Sequence, residues 1–598
     1  MMHRIQGTKQ FQDYAGYLAT IRVALLLLAA ATPSLSIIYL IARYGVDIPF
    51  ADEWTLGPLF VKAHNHTLGL TDLFAQHNEH RLVFPRLLMI GIARATHGNL
   101  RAEMFFSVAL AIGTAFNVGW ILRRSFAREP AKLFFLIVLA NLLLFSPVQA
   151  ENWIWGFQFC LFLITFLLTF GVCVATTQLA MPTKFLACFT IAFIATFSFG
   201  NGALLWLVTF PIALFVTEKP TSRRNLPWLF AWIAGAACTI SLYVFHYVKP
   251  AHHPALAASR HLIDYYFYVA GFLGANLATP LGRRESMALP VLLGTFLSGI
   301  YFLALIGIRG GRKFLVWKEA APWLAIAAFA ITSSGIAAVT RIGFGVTQAL
   351  DSRYTTFSLL FSVALIALVA ISDRELRATF SERRRILDWV SRAEGACLSL
   401  FAITFFISAG WGTEQIRAIQ RMRLWGKGAL HFATVLNDQL IYQTYLGGYG
   451  PDVLKFAKME NSIGYLHPSM RESAIIADVS SPVVPPPQIG FIDRLIPSKG
   501  TCIAQGWAVL PRSSRVADCV VIAAQSQNGH RFAFAVDDQV EDRPDVIKVI
   551  NRRDLLRCGW RTQFGRSSIP TGEYQITAWA VDANSGLLYQ LGGKMVLH

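Results

Sequence analysis

The chain has 598 residues, a formal charge of +18 and only 15% charged residues, with a mean hydropathy of +0.47. Soluble domains carry about 25% charge, and uncharged runs of roughly 18 or more residues are long enough to cross a bilayer. Several such runs occur here, which excludes a wholly soluble protein; the basic excess needs no nucleic acid, because Lys and Arg sit mostly in short loops between apolar runs.

About eleven spans are predicted, near 22–42, 102–122, 133–147, 153–175, 185–200, 203–217, 226–248, 287–308, 320–339, 354–372 and 393–411. The third, fifth and sixth are short, which thinning of the bilayer or burial among neighbours accommodates. The segments "RRSFAREPAK", "RGGRKFLVWK" and "DRELRATFSERRR" concentrate positive charge on alternate loops. The positive-inside rule then puts the N-terminus inside and, with an odd span count, everything after Trp411 outside. The first run is long and lacks a small-residue cleavage site, unlike a removable signal peptide.

Five loops are expected on the outer face. The first, about 43–101, opens with "VDIPFADEWTLGPL", which sets Asp47, Asp52 and Glu53 beside Phe50 and Trp54. It continues through "HNEHR", where His77, Glu79, His80 and Arg81 crowd what reads as one helical turn, into an amphipathic run. The second, "SPVQAENWIWGFQF", holds Glu151, Asn152 and Gln158 among Trp153 and Trp155. The third is the short "SFGNGA". The fourth, near 249–286, reads as a helix lying along the interface. The fifth, "TRIGFGVTQALDSRYTTF", sets Asp351, Arg353 and Tyr354 before the next span. Taken singly, these residues have plain readings as aromatic-belt side chains, helix caps, solvated acids and headgroup anchors. Taken together, carboxylates, amides and an arginine gather on one face while the other carries basic anchors.

Beyond Trp411 the composition becomes polar. Residues 412–480 read as helices, "SSPVVPPPQ" as a semi-rigid linker, and 485–598 as an all-β sandwich. "CVVIAAQ", "HRFAFAVDD" and "YQITAWAVDA" supply strands; "PTGEY" and "NSG" supply turns. This sandwich is expected to fold as a domain of its own. Cys160, Cys173, Cys188, Cys238 and Cys397 lie in apolar runs, and one disulfide is open to Cys502, Cys519 and Cys558 in the tail. No zinc-like Cys spacing, P-loop or dinucleotide fingerprint is present in the sequence.

In its layout and in "ADEW", "HRLVFPRLLMIGIARA" and "DSRY", the membrane region resembles the polytopic membrane glycosyltransferases of the C-type fold (GT-C). The resemblance implies transfer of a sugar from a polyprenyl-phosphate donor to a cell-envelope glycan or lipid acceptor. It places the protein in the inner (cytoplasmic) membrane, working on the extracytoplasmic face. It implies Asp52 as the catalytic acid with Glu53 its neighbour, and Arg353 with Tyr354 at the donor phosphate. His77, His80, Arg81, Glu151, Asn152, Trp155 and Gln158 are then candidates for sugar or acceptor contacts. A divalent metal ion held by Asp52 and Glu53 stays open, and no other cofactor is expected. The tail lacks the WWD-type motif of oligosaccharyltransferases. Two other readings stay open: a lipid-linked sugar flippase or transporter, and a non-catalytic envelope scaffold. Near absence of acids inside the spans favours chemistry at a face over passage through the middle.

Overall fold

The computed structural model describes residues 24–597 except 217–222, 279–285, 311–313, 437–445, 448–450, 477–488, 499, 512–514, 538 and 570–571. The proposed linker and part of the "PTGEY" turn therefore lie outside the described residues. In chain order the helices are α1 (Ala24–Tyr44), α2 (Gly57–His64), α3 (Leu70–Phe74), α4 (Val83–Thr96), α5 (Arg101–Phe126), α6 (Pro130–Leu144), α7 (Ala150–Ile154), α8 (Phe159–Thr176), α9 (Met181–Thr196), α10 (Leu205–Val208) and α11 (Phe210–Phe215). They continue with α12 (Leu226–Val244), α13 (Leu262–Ala278), α14 (Ala288–Gly310), α15 (Phe314–Arg341), α16 (Thr355–Thr379), α17 (Arg384–His431), α18 (Pro451–Ser462) and α19 (Pro544–Ile550). Two compact units result. The first comprises Met1–Gly45, Leu70–Met89 and Arg101–Ile416; the second comprises Val46–Gly69, Ile90–Leu100 and Arg417–His598.

Among the described residues, nine helical segments are long and apolar enough to cross a membrane. They cover nine of the predicted runs; the runs at 185–200 and 203–217 fall on the shorter apolar segments Met181–Thr196 and Gly200–Phe215. Central and peripheral helices differ in burial. In α8 and α16 the apolar windows are 89% buried, whereas that of α12 is 11% buried. A helix apolar all round is stable at the centre of a bundle or against lipid, so α12 turns Phe230, Ile233 and Val244 outward without penalty in a bilayer.

The fourth loop departs from expectation. Its helix, α13, is buried on every side over most of its second half, Ala270 to Ala278, instead of along one stripe. Two glycines allow this. A Cβ on Gly274 would stand 2.0 Å from the Pro290 carbonyl, and one on Gly294 1.8 Å from the Ala270 carbonyl. The backbones of α13 and α14 thus touch, as small residues permit in membrane bundles. The last expected span also departs, because the helix does not stop near Trp411: α17 runs unbroken for 48 residues. Gly412 sits within it because a Cβ there would meet the Pro147 carbonyl at 2.2 Å.

In the second unit, the strands are β3 (Gly490–Ser498), β4 (Thr501–Ala508), β5 (Cys519–Gln525), β6 (Arg531–Val536), β7 (Gln539–Glu541), β8 (Gly559–Gly565), β9 (Tyr574–Asp582), β10 (Leu587–Gln590) and β11 (Met595–Leu597), following a β1–β2 hairpin (Gln76–His77, His80–Arg81) in the first unit. One antiparallel sheet has the order β10-β9-β5-β6, with β11 also on β9; the other is β3-β4-β8-β7. Ile492, Cys502, Ala504 and Trp560 of one sheet share a core with Val520, Ile522, Ala524 and Ala578 of the other.

Strand β5 explains why "CVVIAAQ" does not alternate. Its second face, Cys519, Val521 and Ala523, is covered by Trp425, Ala429 and Phe432 from the end of α17. Strands buried on both faces read as continuous apolar runs. The β5 sheet is therefore packed against the end of α17. The disulfide left open among the tail cysteines is not formed: Cys502, Cys519 and Cys558 are free and buried in three different apolar clusters.

Candidate functional site

The first unit joins all five loops expected on the outer face. The join begins at "HNEHR", which forms the β1–β2 hairpin instead of a helical turn. His77 pairs with His80 across it, and Asn78 takes a left-handed φ of 48°, a conformation Asn tolerates better than most residues. The hairpin projects Glu79 toward the other loops. Arg341 of the fifth loop forms a close ion pair with Glu79. His253 of the fourth loop lies 3.5 Å from the same carboxylate, and its Nε2 is 3.0 Å from Arg341 Nη1. His80 Nε2 is likewise 3.5 Å from Glu79.

The third loop fixes the His80 ring. The Gly200 amide donates to His80 Nδ1 at 3.1 Å, so Nδ1 is an acceptor there and the ring proton of the neutral form belongs on Nε2, facing Glu79. A Cβ at Gly200 would press on Nδ1 at 3.0 Å, so a glycine suits the approach. Phe199 stacks on the imidazole with centroids 4.0 Å apart.

Loops two and five are joined by Asn152. Its Nδ2 donates to Thr356 Oγ1 at 2.7 Å and to the Arg353 carbonyl at 3.1 Å. Thr356 in turn donates to Gln149 Oε1 at 2.6 Å. The Ser352 hydroxyl donates to Glu151 Oε2 at 3.2 Å. These bonds set the short turn Ser352–Tyr354 at the start of α16, from which Arg353 Nη2 reaches Asp351 at 2.8 Å. Arg353 Nε is buried without a hydrogen-bond partner among the described residues. Tyr354 lies within electrostatic reach of both Arg353 and Arg341.

The expected sugar or acceptor residues divide by burial. Asn152, Trp155, Gln158 and His77 are buried. Trp155 and His77 both pack on Phe157, at 5.8 Å and 5.4 Å, and Trp155 is 4% exposed. Arg81 gives N–H groups to the carbonyls of Tyr243, Phe245 and Phe74 and so holds the end of α12. These side chains frame the site. Glu79, Glu151, Asp351, Arg341, Arg353 and Tyr354 are the half-buried polar groups within it. Arg341 and Glu79 lie within quoted loop sequence, but each contacts the other only through folding, and spacing gives no sign of the pair.

Asp52 and Glu53 belong to the second unit. They sit in the 3-10 turn Ala51–Leu56, which opens with Ala51 at φ 47°. A left-handed alanine costs about 1–3 kcal/mol, and two features hold it. Glu53 Oε2 accepts the Phe50 amide at 2.8 Å, and Trp54 Nε1 donates to the Leu446 carbonyl at 3.3 Å. The acid that the aromatic wall covers is thus Glu53, 2% exposed, whereas Asp52 is half-buried. Behind this turn Glu460 of α18 is also buried; burial first, then the charges of Glu53 and Asp47, push its carboxyl well above the usual range. Asp47 accepts the Leu100 amide at 2.8 Å. Among the described residues, no group of three or more His, Cys, Asp or Glu side chains is arranged to hold a metal ion.

These features define a multi-pass membrane protein whose inter-span loops meet in two polar groups, an ion-paired one at Glu79 and a hydrogen-bonded one at Asn152, both of which include the fifth loop. Comparison with family models, curated proteins and solved structures found no match.

Proposed function

We propose that the chain is a membrane glycosyltransferase of the C-type fold, carrying a β-sandwich in its tail, that moves a sugar from a polyprenyl-phosphate donor to an extracytoplasmic glycan or lipid. The observation that carries this reading is the meeting of all five loops in two polar groups that share the fifth loop and together hold two arginines, three carboxylates and a tyrosine. Sugar transfer from a lipid phosphate needs positive charge for the departing phosphate, negative charge near an oxocarbenium-like centre, and a base for the acceptor hydroxyl. Arg353 serves the phosphate, with Tyr354 beside it. Glu151 serves the sugar. The sequence resemblance names Asp52, which belongs to the second unit, as the base, and the Glu53 carboxylate is spent on its own turn.

The test is single-turnover transfer from a labelled polyprenyl-phosphate sugar by purified protein. Asp52→Asn is expected to cost about 10²- to 10⁴-fold in rate, the usual loss with a general base, with unfolding temperature unchanged. Glu53→Gln is expected to lower stability more than rate. Full turnover in well-folded Asp52→Asn protein removes Asp52 from the reaction.

A further inference from the structure

We infer that the outer face of the β3-β4-β8-β7 sheet binds an acidic glycan chain. The inference does not rest on the transferase reading, because it uses neither Asp52 nor Arg353. Strand parity defines the face. Leu495, Ala504 and Trp560 pack into the core between the two sheets, so their neighbours along each strand point away from it. Pairing then aligns these outward residues across the sheet. Arg494 of β3 stands opposite Gln505 of β4, Gln505 opposite Arg561 of β8, and Arg561 opposite Gln539 of β7. Strands lie about 4.8 Å apart, so this single row of guanidinium and amide groups crosses the sheet over roughly 14 Å.

The row runs between two apolar flanks. On one side Phe491, 41% exposed, stands opposite the half-buried Trp507. Val546 and Leu555 belong to the cluster that holds Trp507 in place. On the other side Ile496, 42% exposed, stands opposite Ile503. A sugar ring has the matching shape, with an apolar C–H face and a rim of hydroxyls. The flanks offer surfaces for ring faces, aromatic on one side, and the row offers donors and acceptors for the hydroxyls.

Charge selects an acidic chain. Among the described residues, Arg494, Gln505 and Gln539 make no side-chain hydrogen bond or ion pair. The acids beside the row are engaged: Glu541 lies 3.8 Å from Arg561, and Asp493 accepts from Arg543 at 2.6 Å. Arg494 therefore presents a guanidinium fork that a carboxylate on a sugar ring would fill. Other macromolecules fit the face less well. A protein partner suits an apolar centre with a polar rim, and here the polar groups lie at the centre. A nucleic acid needs many cations along its phosphates, and the row holds two.

The experiment uses the full chain, in a detergent without a sugar headgroup, and measures equilibrium binding by calorimetry. The probes are alginate oligosaccharide, dextran oligosaccharide of equal length and a short DNA duplex. Alginate is expected to bind and dextran to bind far more weakly. Arg494→Ala and Gln505→Ala are each expected to weaken alginate binding roughly three- to tenfold, as loss of one hydrogen bond at a surface does. Both side chains stand clear of the core, so unchanged unfolding temperatures are expected to accompany the loss. Arg552→Ala, which removes an equal charge from an exposed pair outside the row, is expected to leave binding unchanged. Absence of alginate binding, or equal weakening in Arg552→Ala, overturns the site. Equal affinity for dextran overturns the acidic ligand. DNA binding tighter than alginate binding, and lost in the same variants, overturns the glycan. Because no turnover is measured, each outcome is independent of whether the protein transfers sugar.

Discussion

Replacing Asn152 tests whether the second and fifth loops are one structure. Its side chain is fully buried and makes two short hydrogen bonds, to Thr356 Oγ1 at 2.7 Å and to the Arg353 carbonyl at 3.1 Å. Each is worth about 0.5–1.5 kcal/mol net, and the acceptor left behind costs about 1–3 kcal/mol when it stays dry. Two terms reduce the loss. Thr356 keeps its bond to Gln149, and Asn152 Oδ1 is itself buried without a partner among the described residues, so truncation removes that burden. Asn152→Ala is therefore expected to cost about 1–3 kcal/mol, a fall of a few degrees in Tm. Asn152→Asp is the sharper change. It places a carboxylate where two donors are needed, facing the Arg353 carbonyl, and is expected to destabilise more than alanine does. The assay is thermal unfolding in detergent followed by intrinsic fluorescence. Wild-type unfolding of Asn152→Asp would refute the junction and, with it, the positioning of Arg353.

Three further outcomes follow from packing and charge. Gly294→Val would drive Cβ to within 1.8 Å of the Ala270 carbonyl; separation of α13 from α14 is expected to cost at least about 3 kcal/mol, read as loss of folded yield, and a well-folded variant would show that the helices do not touch there. Trp425→Ala removes a 6%-exposed ring that covers β5 and donates to Asp537 at 3.2 Å; about 3–5 kcal/mol is expected, and a 485–598 fragment without this cover is expected to bind the dye ANS, whereas a cooperative, non-binding fragment would contradict the packing. The raised carboxyl of Glu460 binds its proton more tightly folded than unfolded, so its contribution to stability is full below the unfolded value of about 4.3 and is lost as pH rises through the raised folded value. Glu460→Gln is accordingly expected to be more stable than wild type at about pH 8 and equal to it at about pH 4; an unchanged difference across this range would remove the buried charge.

Much of the membrane architecture is legible in the sequence, because uncharged length is a one-dimensional property. All eleven predicted runs fall on apolar helical segments, nine of them long enough to span. The continuity of α17 is not legible: Gly410, Gly412 and the polar shift after Trp411 imitate an end, and only the approach to Pro147 explains Gly412. Strands β5 and β9 are legible in position, but the helix that covers β5 is distant in sequence and leaves only the absence of alternation as its sign. The "HNEHR" hairpin depends on the left-handed Asn78, and its residues are equally compatible with a helical turn. The Glu79–Arg341 pair is a contact between loops far apart in the chain, so no local pattern could reveal it. The opposite holds for "ADEW": the acids are visible at once, but which of them the turn consumes depends on the cap from Glu53 to Phe50.

Reconstituted vesicles carrying labelled polyprenyl-phosphate sugar in one leaflet at a time test the central claim most directly. The account predicts release of sugar from the lipid, onto an added envelope acceptor, only when donor and acceptor are offered on the face that also exposes a cysteine label at Val549→Cys, a side chain 85% exposed in the tail. It further predicts that this transfer falls roughly ten- to hundredfold in Arg353→Ala. Movement of intact labelled lipid between leaflets, with no sugar released on either face, would contradict the transferase.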